Sequence, residues 1–565
     1  FQAEDGIRDV ERSRGLGDVY KRQNKYREVL KRFPTDADAH YGLAKAFLSS
    51  DRGAMIQSLD AALHFNPRHT AALILLAEHQ IDCEEYKAAA ELLDRVIAVN
   101  PWHEQAWAYR AVMAYLEGDP KTGDVNRTCA LTYWPKNPQV DHLIGRKLSQ
   151  KYRFAEGEAY QRRALEFDPE YLPAKIQLAQ DLLRLGREDE GWTLADQVHS
   201  KDAYNIEAYN LANLRDNMAK FRTLETDGFI VRMDAHEADV YGDQVVELLT
   251  QARTDLCKKY GVTLEHPVTV ELFPDQQDFA VRTFGMPGGD GFLGVCFGNV
   301  ITANSPKAGK PHNWKSMLWH EFCHVVTLNI THNKMPRWLS EGISVYEEFQ
   351  RDPTWGQQMS PQYRKKILGG ELTPIGNLSA AFMSPPGSMD LQFAYYNSAL
   401  AVEYIVKRYG HKALRAILTE LAAGAEINYA VTKHTSSLAN VEKEFEAFAR
   451  KRAEQLAPDA DWKLPQAGQL DPADPEALTA WLDEHPDNFW ALTLQANKLL
   501  AERKWEQAKE PLGRLIRLYP RYAGEDNAYR LLAEVHRNLG DTEQERLVLS
   551  DLAVLSPDAV YAYQR

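Results

Sequence analysis

Apolar residues recur along most of the chain at i, i+3 or i+4, and i+7, the period of an amphipathic helix. Proline punctuates the pattern. Pro34, Pro67, Pro101, Pro138 and Pro169 each follow one helical stretch and precede another, at spacings of 33, 34, 37 and 31 residues. A sixth start, without proline, falls near Ala203, 34 residues after Pro169. The segments NPRHTAALILLAEHQI, NPWHEQAWAYRAVMAYLEG and DPEYLPAKIQLAQDLLRLG align by eye. Proline is tolerated just ahead of a helix because the first N–H groups have no intrahelical partners. The punctuation returns near the C-terminal end, where Pro486 to Pro520 is 34 residues and Pro520 to Pro557 is 37. Between these stretches, from about Phe221 to Ala457, the period breaks. FIVRM (229–233) and PVTVELF (267–273) are rich in β-branched residues and predict short strands, with a helix over 238–259 between them. A glycine-rich stretch, FGMPGGDGFLGV, leads into a third predicted strand near 292–303. From Trp314 the pattern is helical again, with loops around 331–335 and 352–390.

The period on both flanks resembles that of tetratricopeptide (TPR) repeats, strongly over about 24–215 and less so over 470–565. A helix pair of this kind cannot bury its apolar face alone, so repeats stack into a curved solenoid. Function does not follow from that. A packing scaffold and a groove for a peptide or protein partner are both compatible with it.

Composition narrows the class. The chain has 565 residues, too many for one core, with 44% hydrophobic and 26% charged residues, as in globular proteins. A net charge of −14 argues against nucleic-acid binding by bulk charge. No apolar run reaches the length of a transmembrane helix. The five cysteines form no CxxC pair, so neither a disulfide framework nor a cysteine zinc site is expected. The opening stretch, 1–23, has no amphipathic period and resembles a translated sequencing-adapter read-through; it is set aside from the fold. On that reading the natural N-terminus is missing, the compartment is unreadable, and a preceding signal peptide with export to a periplasm is compatible with the chain. The last residues, SPDAVYAYQR, read as the start of a further helix, so truncated C-terminal repeats are expected.

The chemistry lies in KSMLWHEFCHVVTLNI, which contains His320-Glu321-Phe322-Cys323-His324. Residues four apart share one helix face, so both imidazoles can reach one zinc ion, with Glu321 placed to take a proton from a water there. Apolar residues cover most of the remaining circumference, which implies burial. Two histidines and a carboxylate are costly in a buried helix unless paired or bound to metal. A hydrogen-bonded core pair of histidines is the competing reading. Cys323 points about 100° away from His324 on the helix and reads as a packing thiol. His312 and His332 lie off any ligand spacing.

A second helix follows in MPRWLSEGISVYEEFQ, with Pro336 as a first-turn residue. HExxH followed by W-L-x-E-G-x-x-x-Y-x-E resembles the gluzincin metallopeptidases, in particular the peptidase-MA-like group often fused to TPR repeats. The resemblance covers roughly 220–455 and is specific over 316–348. It implies that His320, His324 and Glu341 bind one zinc ion per chain. It also implies that Glu348 is the acid that orients a ligand imidazole, against a solvated helix charge as the plain alternative. In the helix around 391–410, Tyr395-Tyr396-Asn397-Ser398 matches the family's oxyanion tyrosine with Tyr395 in register; packing aromatics, or Tyr396, are the alternatives. The strand GFLGVCFGNVITAN lacks the glutamate with which gluzincin aminopeptidases hold a free amine, which points away from that mechanism.

The expectation is therefore a mainly α protein in which TPR-type α-solenoids flank an α+β gluzincin (zincin-like) domain, divided as 1–23, 24–218, 219–457 and 458–565. The implied activity is zinc-dependent hydrolysis of peptide bonds, with Glu321 and Tyr395 catalytic and a peptide or protein as substrate. The repeats offer a surface for a protein partner; no nucleic acid is expected. The alternative is an inactive TPR scaffold with a relic zinc site.

Overall fold

The computed structural model describes residues 20–48, 50–289, 291–309, 312–383, 385, 387–464 and 475–564. Most of the segment set aside as 1–23 thus lies outside the described residues. Residues 20–32 are helical, and the buried Gln23 amide donates to the Ala46 carbonyl at 3.3 Å.

The N-terminal repeats form antiparallel helix pairs at the positions set by the prolines. They run Ala37–Phe47 with Arg52–Phe65, Thr70–Asp82 with Tyr86–Val99, Glu104–Leu116 with Pro120–Ala130, Pro138–Gln150 with Phe154–Phe167, and Leu172–Arg184 with Glu188–Lys201. The sixth start yields a single helix, Ile206–Met218, before the chain turns into a sheet. On the C-terminal side, Phe489–Ala501 pairs with Trp505–Leu518, and Ala528–Asn538 with Thr542–Leu555.

The sheet has five strands, β1 (Phe221–Thr226), β2 (Phe229–Asp234), β3 (Val268–Phe273), β4 (Gly294–Cys296) and β5 (Val300–Asn304), in the order β1-β2-β3-β5-β4. The central neighbours β2, β3 and β5 are parallel, and the edge strands β1 and β4 are antiparallel to theirs. Two features depart from the periodicity reading. The strand β1 carries little apolar alternation (FRTLET), because it is a half-exposed edge; the Asp227-Gly228 turn, with Gly228 at φ +95°, reverses it into β2. The single strand expected near 292–303 is a hairpin, reversed around Gly298 at φ +111°.

The helices that matter for the site are α1 (Ala235–Tyr260), α2 (Gln276–Phe284), α3 (Trp314–Thr331), α4 (Arg337–Arg351) and α5 (Ser388–Ala422), the last interrupted at Gly410; Ile427–His434 and Leu438–Glu454 follow. The short helices Pro361–Leu368 and Leu378–Met383 occupy the stretch expected to be loop. Alternation in the strands assigns the two sheet faces. Val268, Val270 and Leu272 of β3 join α1, α3, α4 and α5 in one core. Phe273, with Val300 of β5, faces the other way into a second core shared with Leu183, Trp192 and Leu211 of the repeats and Phe279 and Phe284 of α2.

The repeats are therefore the second layer on the sheet. The contact is polar as well as apolar. Glu271 of β3 pairs with Arg282 of α2 at 2.8 Å, and Arg232 of β2 bridges Glu271 and Glu188 of the repeats. Arg282 donates to the Leu183 carbonyl while Arg184 donates to the Thr283 carbonyl, a reciprocal clamp between the two layers. Among the described residues no helix is long and apolar enough to cross a membrane.

Candidate metal centre

The helix α3 starts at Asn313, whose side chain accepts from the Ser316 N–H, and ends at His332 and Asn333, both in the left-handed region. Nearly all of its circumference is buried, as its apolar pattern demands. Pro336 then opens α4, which returns across α3 and brings Glu341 to the two histidines. The His320 and His324 Nε2 atoms lie 3.0 Å apart, and Glu341 Oε2 lies 3.2 Å from the first and 3.5 Å from the second. These three residues are the one group of three or more His, Cys, Asp or Glu side chains, among the described residues, whose ligand atoms converge within 4.8 Å.

The remaining polar atoms of the ring systems are engaged from behind. His320 Nδ1 meets Glu348 Oε1 at 2.5 Å, and Glu348 Oε2 accepts from Ser316 Oγ at 2.6 Å. His324 Nδ1 meets Ser340 Oγ at 2.9 Å and Ser344 Oγ at 3.3 Å. A carboxylate is an acceptor only, so Nδ1–H donates to Glu348 and leaves His320 Nε2 as the inward-facing nitrogen, open to a proton or a cation. If His324 donates to the serines in the same way, two lone pairs oppose each other across 3.0 Å, an arrangement that calls for a proton or a cation between them. The donor set, two imidazoles and one carboxylate oxygen, suits zinc with a position left open.

Electrostatics follow from burial and charge. Burial disfavours the charged form of His320, but Glu348 and Glu341 outweigh it and hold its pKa well above the ordinary imidazole value. Burial raises the Glu341 carboxyl, yet hydrogen bonds from both histidines and the charge of Arg337 bring it well below the usual range. For Glu321 burial wins over the opposing histidines, and its pKa is raised. Glu321 Oε2 is buried without a hydrogen-bond partner. It lies against Gly294 of the edge strand β4, where an added Cβ would sit 2.8 Å from Glu321 Cγ and 2.9 Å from its Oε1. Glycine at that position is what admits the carboxylate.

Tyr395 and Tyr396 separate clearly. Tyr396 is buried and stacked on Tyr363 with centroids 5.0 Å apart. Tyr395 lines the cavity of about 430 Å³ that contains His320, Glu321, His324 and Glu341. Its hydroxyl oxygen accepts from Arg337 Nη2 at 2.9 Å, and burial is the main cause that pushes its pKa up to about 12. The close approach of α5 to α4 depends on Gly342, where a Cβ would meet the Ser398 carbonyl oxygen at 2.7 Å. Cys323 is buried on another face of α3, and His332 caps the helix end; neither joins the cluster.

Sequence reading missed Arg337, whose Nε lies 3.5 Å from Glu341 Oε1, the oxygen turned away from the histidines. Its spacing of four from Glu341 was the available signal. Ser340 and Ser344, also four apart, behind His324 were legible in the same way.

Residues 249–450 match the family model described as the Peptidase MA superfamily. No curated protein matches the chain. Among solved structures, the chain is similar to YrrB, a TPR protein with an unusual peptide-binding site, at 13% identity and a TM-score of 0.21, covering 33% of this chain and 97% of that one. It is similar to the TPR domain of P58(IPK) at 11% identity and a TM-score of 0.18, covering 79% and 99%. A third likeness is to Naa15/Naa10 bound to HypK-THB, at 11% identity and a TM-score of 0.21, covering 98% and 88%.

Proposed function

We propose that the chain is a zinc-dependent metallopeptidase, with 219–457 as its catalytic unit and the repeats of 24–218 and 458–565 as arms that bind substrate or a partner. The observation that carries this reading is the convergence of His320, His324 and Glu341 beside a buried carboxylate, Glu321, that has an unpartnered oxygen. A ligand set alone serves a structural site equally well; an unpaired buried carboxylate next to it has a cost that only chemistry offsets.

His320, His324 and Glu341 would hold the zinc ion. Zinc bound there supplies a Lewis acid for the scissile carbonyl and a water with a pKa of about 7. Glu321 takes the proton of the attacking water on Oε2 and passes it to the leaving amine. Its raised pKa suits both halves of that transfer. Tyr395, whose oxygen is held by Arg337, donates its own O–H to the oxyanion of the tetrahedral carbon. Glu348 fixes the His320 ring, and Arg337 holds the rear oxygen of Glu341.

The test uses zinc analysis and an internally quenched peptide library. His320→Ala should lose zinc. Glu321→Gln should keep zinc and lose hydrolysis, because it removes a base and no ligand. Turnover by Glu321→Gln at the wild-type rate would remove Glu321 from the mechanism, and a zinc-loaded wild-type chain that cleaves nothing would favour a scaffold.

A further inference from the structure

The cleft is not built from the sheet-containing part alone. One of its walls comes from the turn between the repeat helices Pro138–Gln150 and Phe154–Phe167, through Gln150, Lys151 and Tyr152. Tyr152 sits in the left-handed region at φ +64°, as Glu84, Gly118 and Gly186 do at the corresponding turns of the other repeats. Its carbonyl accepts from Asn333 Nδ2 at 2.6 Å, at the end of the histidine-bearing helix. Its ring packs between Phe154 of the repeat, at 5.3 Å, and Phe297 of the β4–β5 turn, at 6.3 Å. Backbone and ring are thus both fixed, and the residue lines the cleft. The hydroxyl lies within electrostatic reach of Arg337, Glu341 and Glu321. The aromatic contact with Phe297 joins residues 145 positions apart and ties the repeat turn to the β4–β5 hairpin.

We propose that Tyr152 is a substrate-contacting residue, a hydrogen-bond donor to the main chain of a peptide lying across the metal ligands. The inference rests on the peptidase reading and extends it to the substrate class. Strand β4 borders the cleft on one side, the repeat turn on another, and Asp558 of the C-terminal repeats lines it as well. A space enclosed in this way admits an extended, unfolded segment and excludes the surface of a folded domain. The repeats then select substrate from inside the cleft.

Two probes separate the parts of this proposal in the zinc-loaded full chain. Acetohydroxamate reports the metal alone, and trialanine hydroxamate reports the metal plus the walls. Tyr152→Phe keeps the ring packing and removes the donor. It should leave zinc content, thermal midpoint and acetohydroxamate affinity unchanged, and weaken trialanine hydroxamate about threefold to tenfold, the range of one hydrogen bond. Tyr152→Trp keeps an aromatic ring and fills the cleft; it should exclude trialanine hydroxamate and still admit acetohydroxamate. Unchanged trialanine hydroxamate affinity in both variants overturns the role of Tyr152 while leaving the peptidase reading standing. A wild-type chain that binds no acetohydroxamate overturns that reading and this inference with it.

Discussion

The contact between His320 Nδ1 and Glu348 sets which nitrogen of the ring is available to a metal. Ser316 and His320 occupy both Glu348 oxygens, so the carboxylate cannot turn away without losing a second bond. Glu348→Gln presents an amide that lacks the charge and can offer an N–H to Nδ1, which favours the wrong tautomer. Zinc affinity, measured against a competing chelator, should fall about 10- to 100-fold with the far-ultraviolet circular dichroism unchanged. An unchanged affinity would return Glu348 to the status of a packing carboxylate. The same scale shows how legible the site was. His320, Glu321 and His324 are spaced by one helix, so one turn of reasoning places them together; Glu341 and Glu348 needed the family resemblance to be tied to them. Gly294 carries no signal in its own neighbourhood, because what it makes room for, Glu321, sits on another element.

Among the elements, the repeat helices Thr70–Asp82 and Pro138–Gln150 are joined by a buried ionic cluster. Lys147 lies 2.8 Å from both Glu78 and Asp82, with Arg146 3.3 Å from Glu78. Burial pushes the Glu78 carboxyl up, but Lys147 and Arg146 outweigh it and lower its pKa from 4.5 to about 2. The folded chain therefore binds this proton less tightly than the unfolded chain. The stabilisation is complete above about pH 4.5 and is lost as the pH falls toward about 2. Glu78→Gln should lower the thermal midpoint at pH 7, and its difference from wild type should shrink as the pH drops through that window. A difference independent of pH would show that packing, not charge, sets the cost. Periodicity located both helices, but it could not pair Glu78 with Lys147, 69 residues on. It also read the β4–β5 hairpin as one strand, since a two-residue alternation continues across a tight reversal.

For the whole molecule, the consequence of the shared core is that the catalytic unit proposed as 219–457 is incomplete by itself. Cut free, it would expose Phe273, Phe279, Phe297 and Val300, all buried in the full chain, and leave Glu271 and Arg282 with fewer partners. The isolated 219–457 segment should aggregate or unfold well below the full chain, as read by size-exclusion chromatography and calorimetry. A fragment with the full chain's midpoint would show that the repeats are detachable. The helix α3 is held at both ends by the two arms: Asp558 accepts from the Asn313 N–H at its start, and the Tyr152 carbonyl accepts from Asn333 at its end. An acid at a helix N-terminus is also favoured by the helix dipole. Among the described residues the C-terminal repeats add no ligand to the cluster, yet they reach the rim of the cleft through Asp558.

What the sequence determined by itself is whatever depends on neighbours within a turn or two of chain. Helical period, proline at helix starts and the i, i+4 spacing of His320 and His324 are consequences of local backbone geometry, and they located the repeats and the histidine pair. Resemblance carried this one step further, to Glu341, Glu348 and Tyr395. The tertiary structure alone decided that the repeats form the second layer of the sheet, that Asn333 meets the Tyr152 carbonyl, and that Tyr152 lines the cleft. Those contacts join residues tens to hundreds of positions apart. Nothing in a local pattern encodes such a meeting, because it depends on how separately formed elements bury their remaining apolar faces against one another.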